Sequence, residues 1–555
     1  MGKKVLVLGL DGGTWSILDR FIDAGVMPNL QRLCAAGYRA KLMSTIPDIT
    51  PVAWTSLATG MNPGMHGIYG WSAPHAVLGS YAAPPVRRDL IGKPTLWRRL
   101  SEAGLTSTVL CVPLTYPAEA IKGSLVTGML TPILNSKCTY PPSLKDELLA
   151  NNCMPRFSMT MKKNMNQGMA GREANPLREA LRNDGARFFE EIDNMTEGLH
   201  RTIQYLIKKP WDFFMAVFVG TDRVQHALYD QIVSLGPAST GLLARRIRDF
   251  YSKIDSIIGD IIESAGNDTV CMLISDHGFG PCVGRYYLGQ WLVEAGYSRY
   301  KPKRLHQFAR RLLAITNTKR LVARCLSDKS FARITSSSYP FDWSKTRAFF
   351  AYVNGIRINL QGREEHGIVK PGPEYEKLRR ELRERLLEIK DPVSGKHVIS
   401  RVWFAEEIYH GTYLQCAPDI VVQGNDKQYY VFQRGVIGNP KLTEQVPHYT
   451  GTHRTDGIFL AYGADVKPNA DAPPMNIIDV APTVMYQLGL PVPDDMGGQI
   501  INEAFAGSPA KRIIEKATNG GSLVEPLPSE SNAGRYTDEE EEILRRRLRN
   551  LGYLD

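Results

Sequence analysis

Four short apolar runs, at residues 5–10, 108–112, 213–219 and 269–274, are continuous rather than alternating in hydropathy. A strand with one wet face alternates. A strand that is apolar at every position is covered on both faces, and each of these runs gives way to a helical pattern. The chain is therefore expected to form an α/β fold, a mostly parallel central sheet with helices on both faces. Ligands of such sheets sit beyond the carboxyl ends of the strands. Three of the four runs lead into Asp there: Asp11, Asp222 and Asp276, the last followed by His277.

Composition narrows the classes. At 555 residues the chain exceeds what one core usually supports, and 43% hydrophobic with 22% charged residues excludes a largely disordered protein. The excess of 67 Lys and Arg over 57 Asp and Glu, a net charge of +10, leans toward an anionic ligand. Eight scattered Cys with no C-x-x-C argue against a cysteine zinc site and demand no disulfide framework. Lys3-Lys4 and the run after it resemble a signal peptide, but the run is too short and stops at Asp11-Gly12-Gly13. No apolar stretch approaches the ~18–20 residues that span a bilayer. A soluble, cytoplasmic protein is the expectation.

Three stretches break the rhythm. Residues 133–200 are polar and Met-rich (Met154, Met159, Met161, Met165, Met169) and read as an inserted cap. Residues 299–324 hold nine Lys or Arg and no acid, with Leu305, Phe308, Leu312 and Leu313 interleaved. This basic segment, within an insertion at about 299–340, suits a path for a phosphorylated substrate, an anionic membrane surface or a plain solvated helix face equally. Residues 505–555 read as a linker and a C-terminal helix, with acids after Thr537 and Arg near its end, docked by Leu and Tyr553. Residues 1–504 form the expected catalytic domain. No internal repeat and no nucleic-acid module is visible.

The P-loop, H-E-x-x-H, G-x-S-x-G and G-x-G-x-x-G motifs are all absent. What remains is a dispersed set of acids and imidazoles. Asp222 and His226 are four apart, on one face of a helical turn. Asp276-His277-Gly278 follows a strand, and His453 precedes the apolar run 458–462. Carboxylate with imidazole suits zinc, and manganese or iron less specifically. A capping or chance role is the ordinary alternative for a D-x-x-x-H pair, whereas polar groups buried at a strand end are costly unless something coordinates them. His66 and His448 are closer candidates than the six remaining His.

The order of these pieces is similar to that of the alkaline phosphatase superfamily, in its type I phosphodiesterase/nucleotide pyrophosphatase branch. Asp11-Gly12 and then Met27-Pro28-Asn29-Leu30 resemble the family's opening. Thr50-Pro-Val-Ala-Trp54 resembles its nucleophile segment: Thr50 stands nine residues before Thr59-Gly60 and sixteen before His66-Gly67-Ile68. Asp222-x-x-x-His226, Asp276-His277-Gly278 and His453 follow in family order, and Asp479 to Pro491 looks like the closing helix and loop.

The resemblance implies two divalent metal ions, zinc foremost with manganese or iron as alternatives. One would be held by Asp222, His226 and His453. The other would be held by Asp11, Asp276 and His277, with the Thr50 hydroxyl facing it. It implies hydrolysis of phosphodiester or pyrophosphate bonds in a phosphorylated or nucleotide-like substrate, through a phosphothreonine at Thr50. A Thr hydroxyl needs a cation to stabilise its alkoxide, and two cations ~4 Å apart stabilise both attacking and leaving oxygens. One departure is plain. Where nucleotide pyrophosphatases carry a phosphate-binding Asn, 21 residues after the nucleophile, this chain has Trp71. Trp71 and Arg454 are the candidate substrate-binding residues. A phosphomonoesterase or phosphomutase of the same superfamily stays open, as does an anion-binding protein on an inactive scaffold.

Overall fold

The computed structural model describes residues 3–73, 84–157, 185–235, 239–300, 341–391, 394–425, 430–433, 442–444, 450–506 and 536–551. Nine strands form the central sheet: β1 (Lys4–Leu10), β2 (Tyr38–Met43), β3 (Ser107–Leu110), β4 (Gly123–Val126), β5 (Thr139–Tyr140), β6 (Phe213–Phe218), β7 (Thr269–Ile274), β17 (Asp456–Tyr462) and β18 (Met475–Asn476). Their order is β18-β2-β17-β7-β1-β6-β3-β4-β5. The run from β7 through β4 is parallel, while β17 is antiparallel to both neighbours and β5 to β4. All four apolar runs of the sequence became strands of this sheet.

Successive side chains of a strand enter opposite faces, and here each face has its own core. Leu6, Leu8 and Leu10 of β1, with Phe214, Ala216 and Phe218 of β6, pack under the Trp15–Asp23, Pro28–Ala36, Ala186–Leu206 and Leu242–Ala265 helices. Val5, Val7, Phe213, Met215 and Val217 pack on the other side, under Thr50–Thr59, Leu96–Glu102 and Val480–Gln487. Double coverage is the reason the runs carry no polar alternation.

Asp255, buried in the Leu242–Ala265 helix, accepts from the backbone N–H groups of Asn29 (3.1 Å) and Leu30 (2.7 Å). It satisfies the exposed amides at the start of Pro28–Ala36, so the Met27-Pro28-Asn29-Leu30 motif is a helix start clamped to its neighbour.

A second sheet, β10 (Ala348–Phe350), β11 (Gly355–Ile358), β13 (Ile420–Gly424) and β12 (Ile399–Phe404), encloses a separate core with the Pro373–Leu387 helix. Two small sheets complete the described strands. One joins β14 (Tyr430–Gln433), β9 (Gly284–Tyr287) and β15 (Thr443–Glu444), and the other pairs β16 (Gly451–Arg454) with β8 (Gly278–Pro281).

The cap expected over 133–200 needs correction where it is described. Thr139–Tyr140 is an edge strand of the central sheet, and Leu144, Leu148, Phe188, Phe189, Ile192 and Leu199 are core. Helical spacing of the apolar residues from Phe188 to Ile203 was the signal, masked by the polar residues between them. Four of the five Met that motivated the cap (all but Met154) lie outside the described residues, as does the basic segment beyond Tyr300. The described residues on either side of it, Tyr300 and Phe341, are bridged to each other.

The Asp538–Asn550 helix carries a capping box between Thr537 and Glu540. It docks through Leu544, Leu548 and Tyr536, which stacks on Tyr116. Tyr553, the expected anchor, lies outside the described residues. Among the described residues none of the seven Cys forms a disulfide, and no helix is long and apolar enough to cross a membrane.

The Thr50–Thr59 helix is buried along its whole length. It is tied to the Pro63–His66 turn by His66, whose Nδ1 accepts from the Ile68 N–H (3.2 Å), so that Nε2–H donates to Ser56 Oγ (2.8 Å). Burial pushes the His66 imidazole down from 6.5 to about 3. Between those values the unfolded chain binds a proton that the folded one does not, so this contribution to stability is complete above about pH 6.5 and is lost as pH falls toward 3. Subtracting the urea-unfolding free energy of His66→Gln from that of wild type across this window should leave a slope of up to about 1.4 kcal/mol per pH unit, rising with pH. Parallel curves would remove His66 as the cause.

Candidate metal and phosphoryl-transfer centre

Five chain segments deliver the candidate residues to one edge of the sheet. Asp11 follows β1, Thr50 follows β2, and Asp222 and His226 lie on the Gly220–Leu235 helix after β6. Asp276 and His277 follow β7, and His453 stands on β16 just before the antiparallel β17. Asp11, Thr50, Asp222, His226, Asp276 and His277 are all buried. Asp11, Asp276 and His277 offer ligand atoms within 4.8 Å of one another, and so do Asp222, His277 and His453. His226 Nε2 completes the group, 3.2 Å from Asp222 Oδ1 and 3.0 Å from His453 Nε2. All six candidate ligands of the sequence therefore converge, with His277 shared between two clusters.

The tautomers follow from the backbone. His226 Nδ1 lies 2.9 Å from the Gly451 carbonyl, His453 Nδ1 2.8 Å from that of Asp48, and His277 Nδ1 3.1 Å from that of Gly278. A carbonyl only accepts, so each Nδ1 carries a proton, and the Nε2 of each ring, when neutral, presents its lone pair. With neutral rings and ionised carboxyls the inward atoms are all acceptors: three Nε2 and the carboxylate oxygens. This is the outer-shell pattern that orients imidazoles toward a cation.

Nearby backbone and side chains fix the rest. The Gly12 N–H donates to Asp276 Oδ1 (3.1 Å) and Trp54 Nε1 to Asp11 Oδ2 (3.2 Å). Gly12 has φ +69°, and a Cβ there would stand 2.5 Å from the Phe279 ring, so glycine alone fits. Gly9 lets the Trp54 ring reach Asp11, since a Cβ on it would come within 2.5 Å of that ring. Among the described residues, Asp11 Oδ1, Asp276 Oδ2, His277 Nε2 and Thr50 Oγ have no hydrogen-bond partner.

Thr50 is the first helical residue and not the cap. Ile49 holds the cap position, and the Thr50 hydroxyl makes no capping bond.

Burial, followed by the Asp222 charge, raises Asp11 to about 8. Burial and then Asp11 hold Asp276 well above the carboxylate range, and burial holds His277 well below the imidazole range. His226 is lowered by burial. At Asp222, burial pushes upward but is outweighed by His226 and His453, leaving the carboxyl well below its ordinary value. Burial likewise opposes the raised value of His453, which the hydrogen bond and charge of Asp222 sustain. The cluster is poor in positive charge, and its carboxyls compete for what there is.

Of the two candidate substrate contacts, Trp71 is buried in an apolar cluster with Ile49, Val52 and Leu544. Arg454 donates to the carbonyls of His453 (2.5 Å) and Pro281 (2.6 Å) and lies over Gly280. Sequence reasoning missed Trp54, Phe279 and Arg223. Phe279 sets its ring against His226 and His453, at 4.7 and 5.4 Å between centroids. Arg223 Nη1 sits 3.2 Å from Asp222 Oδ2. A cation inside the D-x-x-x-H spacing, and an aromatic directly after Asp276-His277-Gly278, were the available signals.

A family model described as type I phosphodiesterase/nucleotide pyrophosphatase matches residues 5–450. No curated protein matches the chain. Among solved structures, the murine ectonucleotide pyrophosphatase/phosphodiesterase 5, an inactive variant with AMP, is 13% identical with a TM-score of 0.46. The human protein of that name is 14% identical with a TM-score of 0.45. In both comparisons 88% of this chain and 95% of the other are covered. Likeness at that level carries no weight, and the assignment stands on the family model. That match takes in Asp11, Thr50, Asp222, His226, Asp276 and His277, and the chain belongs to the type I phosphodiesterase/nucleotide pyrophosphatase family of phosphoric ester hydrolases.

Proposed function

We propose that the chain cleaves phosphodiester or pyrophosphate bonds of a nucleotide-like substrate, with Thr50 as nucleophile and a two-metal centre. The observation that carries the reading is the convergence of acceptor atoms. Three lone-pair Nε2 atoms and the oxygens of Asp11, Asp222 and Asp276 face one another in a buried space, where like partners repel and buried polar groups are normally satisfied. A divalent cation satisfies such a set. Asp11, Asp276, His277 and Thr50 Oγ would hold one ion, and Asp222, His226 and His453 the other. Mixed carboxylate and imidazole donors favour zinc, with manganese or iron as alternatives. When bound, the ions lower the cost of an alkoxide at Thr50 and of negative charge on the attacking and leaving oxygens.

The residues of the chain account for the remaining chemistry. Thr50 Oγ gives up its proton, attacks phosphorus in line and forms a new P–O bond, while the P–O bond to the leaving group breaks and the leaving oxygen departs with its electron pair and takes up a proton. Water then cleaves the phosphothreonine and restores the hydroxyl. Two inversions give net retention at phosphorus. The amino end of the Thr50–Thr59 helix favours the phosphoryl anion.

A monoester or mutase reading is favoured by Trp71. An indole sunk among apolar side chains replaces the amide that would hold a non-bridging oxygen. Relative kcat/KM for chromogenic mono- and diesters separates the two: a diester preference supports the first, a monoester preference the second.

Two outcomes follow. The Thr50 hydroxyl makes no hydrogen bond among the described residues, so Thr50→Ala should keep the stability within about 0.5 kcal/mol of wild type. The same variant should lose about 10³-fold or more in kcat. Near-wild-type turnover by the folded variant would refute the nucleophile. For the metals, elemental analysis of the wild type should find up to two transition metal ions per chain. Asp222→Ala or His453→Ala should lower metal content and activity together, with the fold retained on circular dichroism. Full activity of the chelated, metal-free protein would refute the centre.

A further inference from the structure

We propose that Arg223 is a positioning residue that fixes the orientation of Asp222, so that Oδ1 alone faces His226 and His453; the proposal rests on the metal reading above. The two oxygens of Asp222 are divided between different partners. Oδ1 lies 3.2 Å from His226 Nε2 and 3.3 Å from His453 Nε2. Oδ2 lies 3.2 Å from Arg223 Nη1. The guanidinium is buried, and its Nη2 reaches Met129 Sδ at 4.0 Å. Met129 packs against the cluster that contains Ile49 and Val52, the residues flanking Thr50 and Pro51. Arg223 thus spans from Asp222 to the apolar wall beside the Thr50–Thr59 helix, which anchors the guanidinium plane at both ends.

The terminal torsion of an Asp is broad and two-fold, so a buried carboxylate held at one oxygen only can turn either oxygen, or both, toward the imidazoles. A planar guanidinium fork restricts that rotation in a way the point charge of an ammonium does not. Partners of metal ligands acting in this manner are typically worth about 10–100-fold in metal affinity. Simple charge makes the opposite demand. A fixed cation this close repels an incoming metal ion, so if Arg223 acted by charge alone its removal would tighten metal binding. The sign of the change therefore decides between positioning and charge.

The test uses the full chain, stripped by a chelator and titrated with Zn²⁺ against a chelating dye, with thermal melts of the stripped proteins in parallel. Arg223→Met should bind Zn²⁺ about 10–100-fold more weakly than wild type, and Arg223→Lys should recover part of the loss. Unchanged or tighter binding by a folded Arg223→Met overturns the proposal. Should Arg223→Met fail to give a cooperative melt, Arg223→Lys decides alone: weaker binding supports positioning, and wild-type affinity overturns it. A wild type that takes up no Zn²⁺ in the same titration overturns the metal reading itself and this proposal with it, an outcome distinct from equal binding by wild type and variant.

Discussion

Acceptor atoms crowd one another at the carboxyl edge of the central sheet, and the rest of the architecture is arranged around that unfavourable contact. Asp11 and Asp276 are fully buried; burial and then Asp222 raise the proton affinity of Asp11, burial and then Asp11 raise that of Asp276, and three imidazoles turn Nε2 inward because their Nδ1 protons are committed to backbone carbonyls. Burying like charges and unsatisfied acceptors costs several kcal/mol unless a cation or proton offsets them. A fold can tolerate this only where strongly packed elements hold the groups in place. Here β1, β6 and β7 are apolar on both faces and pinned between two cores.

The doubly covered sheet also explains how residues as far apart in sequence as Asp11 and His453 come together. Parallel strands all deliver their carboxyl ends to the same edge, and the antiparallel β17 brings its amino end there, with His453 just upstream. The Thr50–Thr59 helix is buried along its length, so the nucleophile candidate stands on a rigid element with His66 locking its far end. Asp255 performs the same service at the opposite face by clamping the start of Pro28–Ala36. Much of what reads as motif in this chain is the framework that keeps the site from relaxing.

That division decides what was legible in the sequence. Continuous apolar runs ending in Asp disclosed the sheet and its functional edge, because double coverage and strand-end chemistry both leave linear traces. The six candidate ligands were legible as types at spacings, and their convergence follows from the parallel topology. Side-chain direction was not legible. Trp71 turns into the apolar cluster with Ile49 and Val52, and Arg454 is taken up by carbonyls of its own small sheet. The cap over 133–200 was drawn too wide because polar residues hid the helical period of Phe188, Ile192 and Leu199. Arg223 and Phe279 act through contacts across elements, to Met129 and to His453, which no local spacing encodes.

The proposed chemistry requires a covalent bond between Thr50 and phosphorus. Wild type mixed with a substrate whose transferred phosphoryl group is labelled, quenched in acid within the first turnovers and digested, should yield one labelled peptide, the one containing Thr50, with the label absent from Thr50→Ala. Label on another residue, or turnover with a phosphoryl group that passes directly to water with inversion at phosphorus, would contradict the phosphothreonine route and the assignment of Thr50.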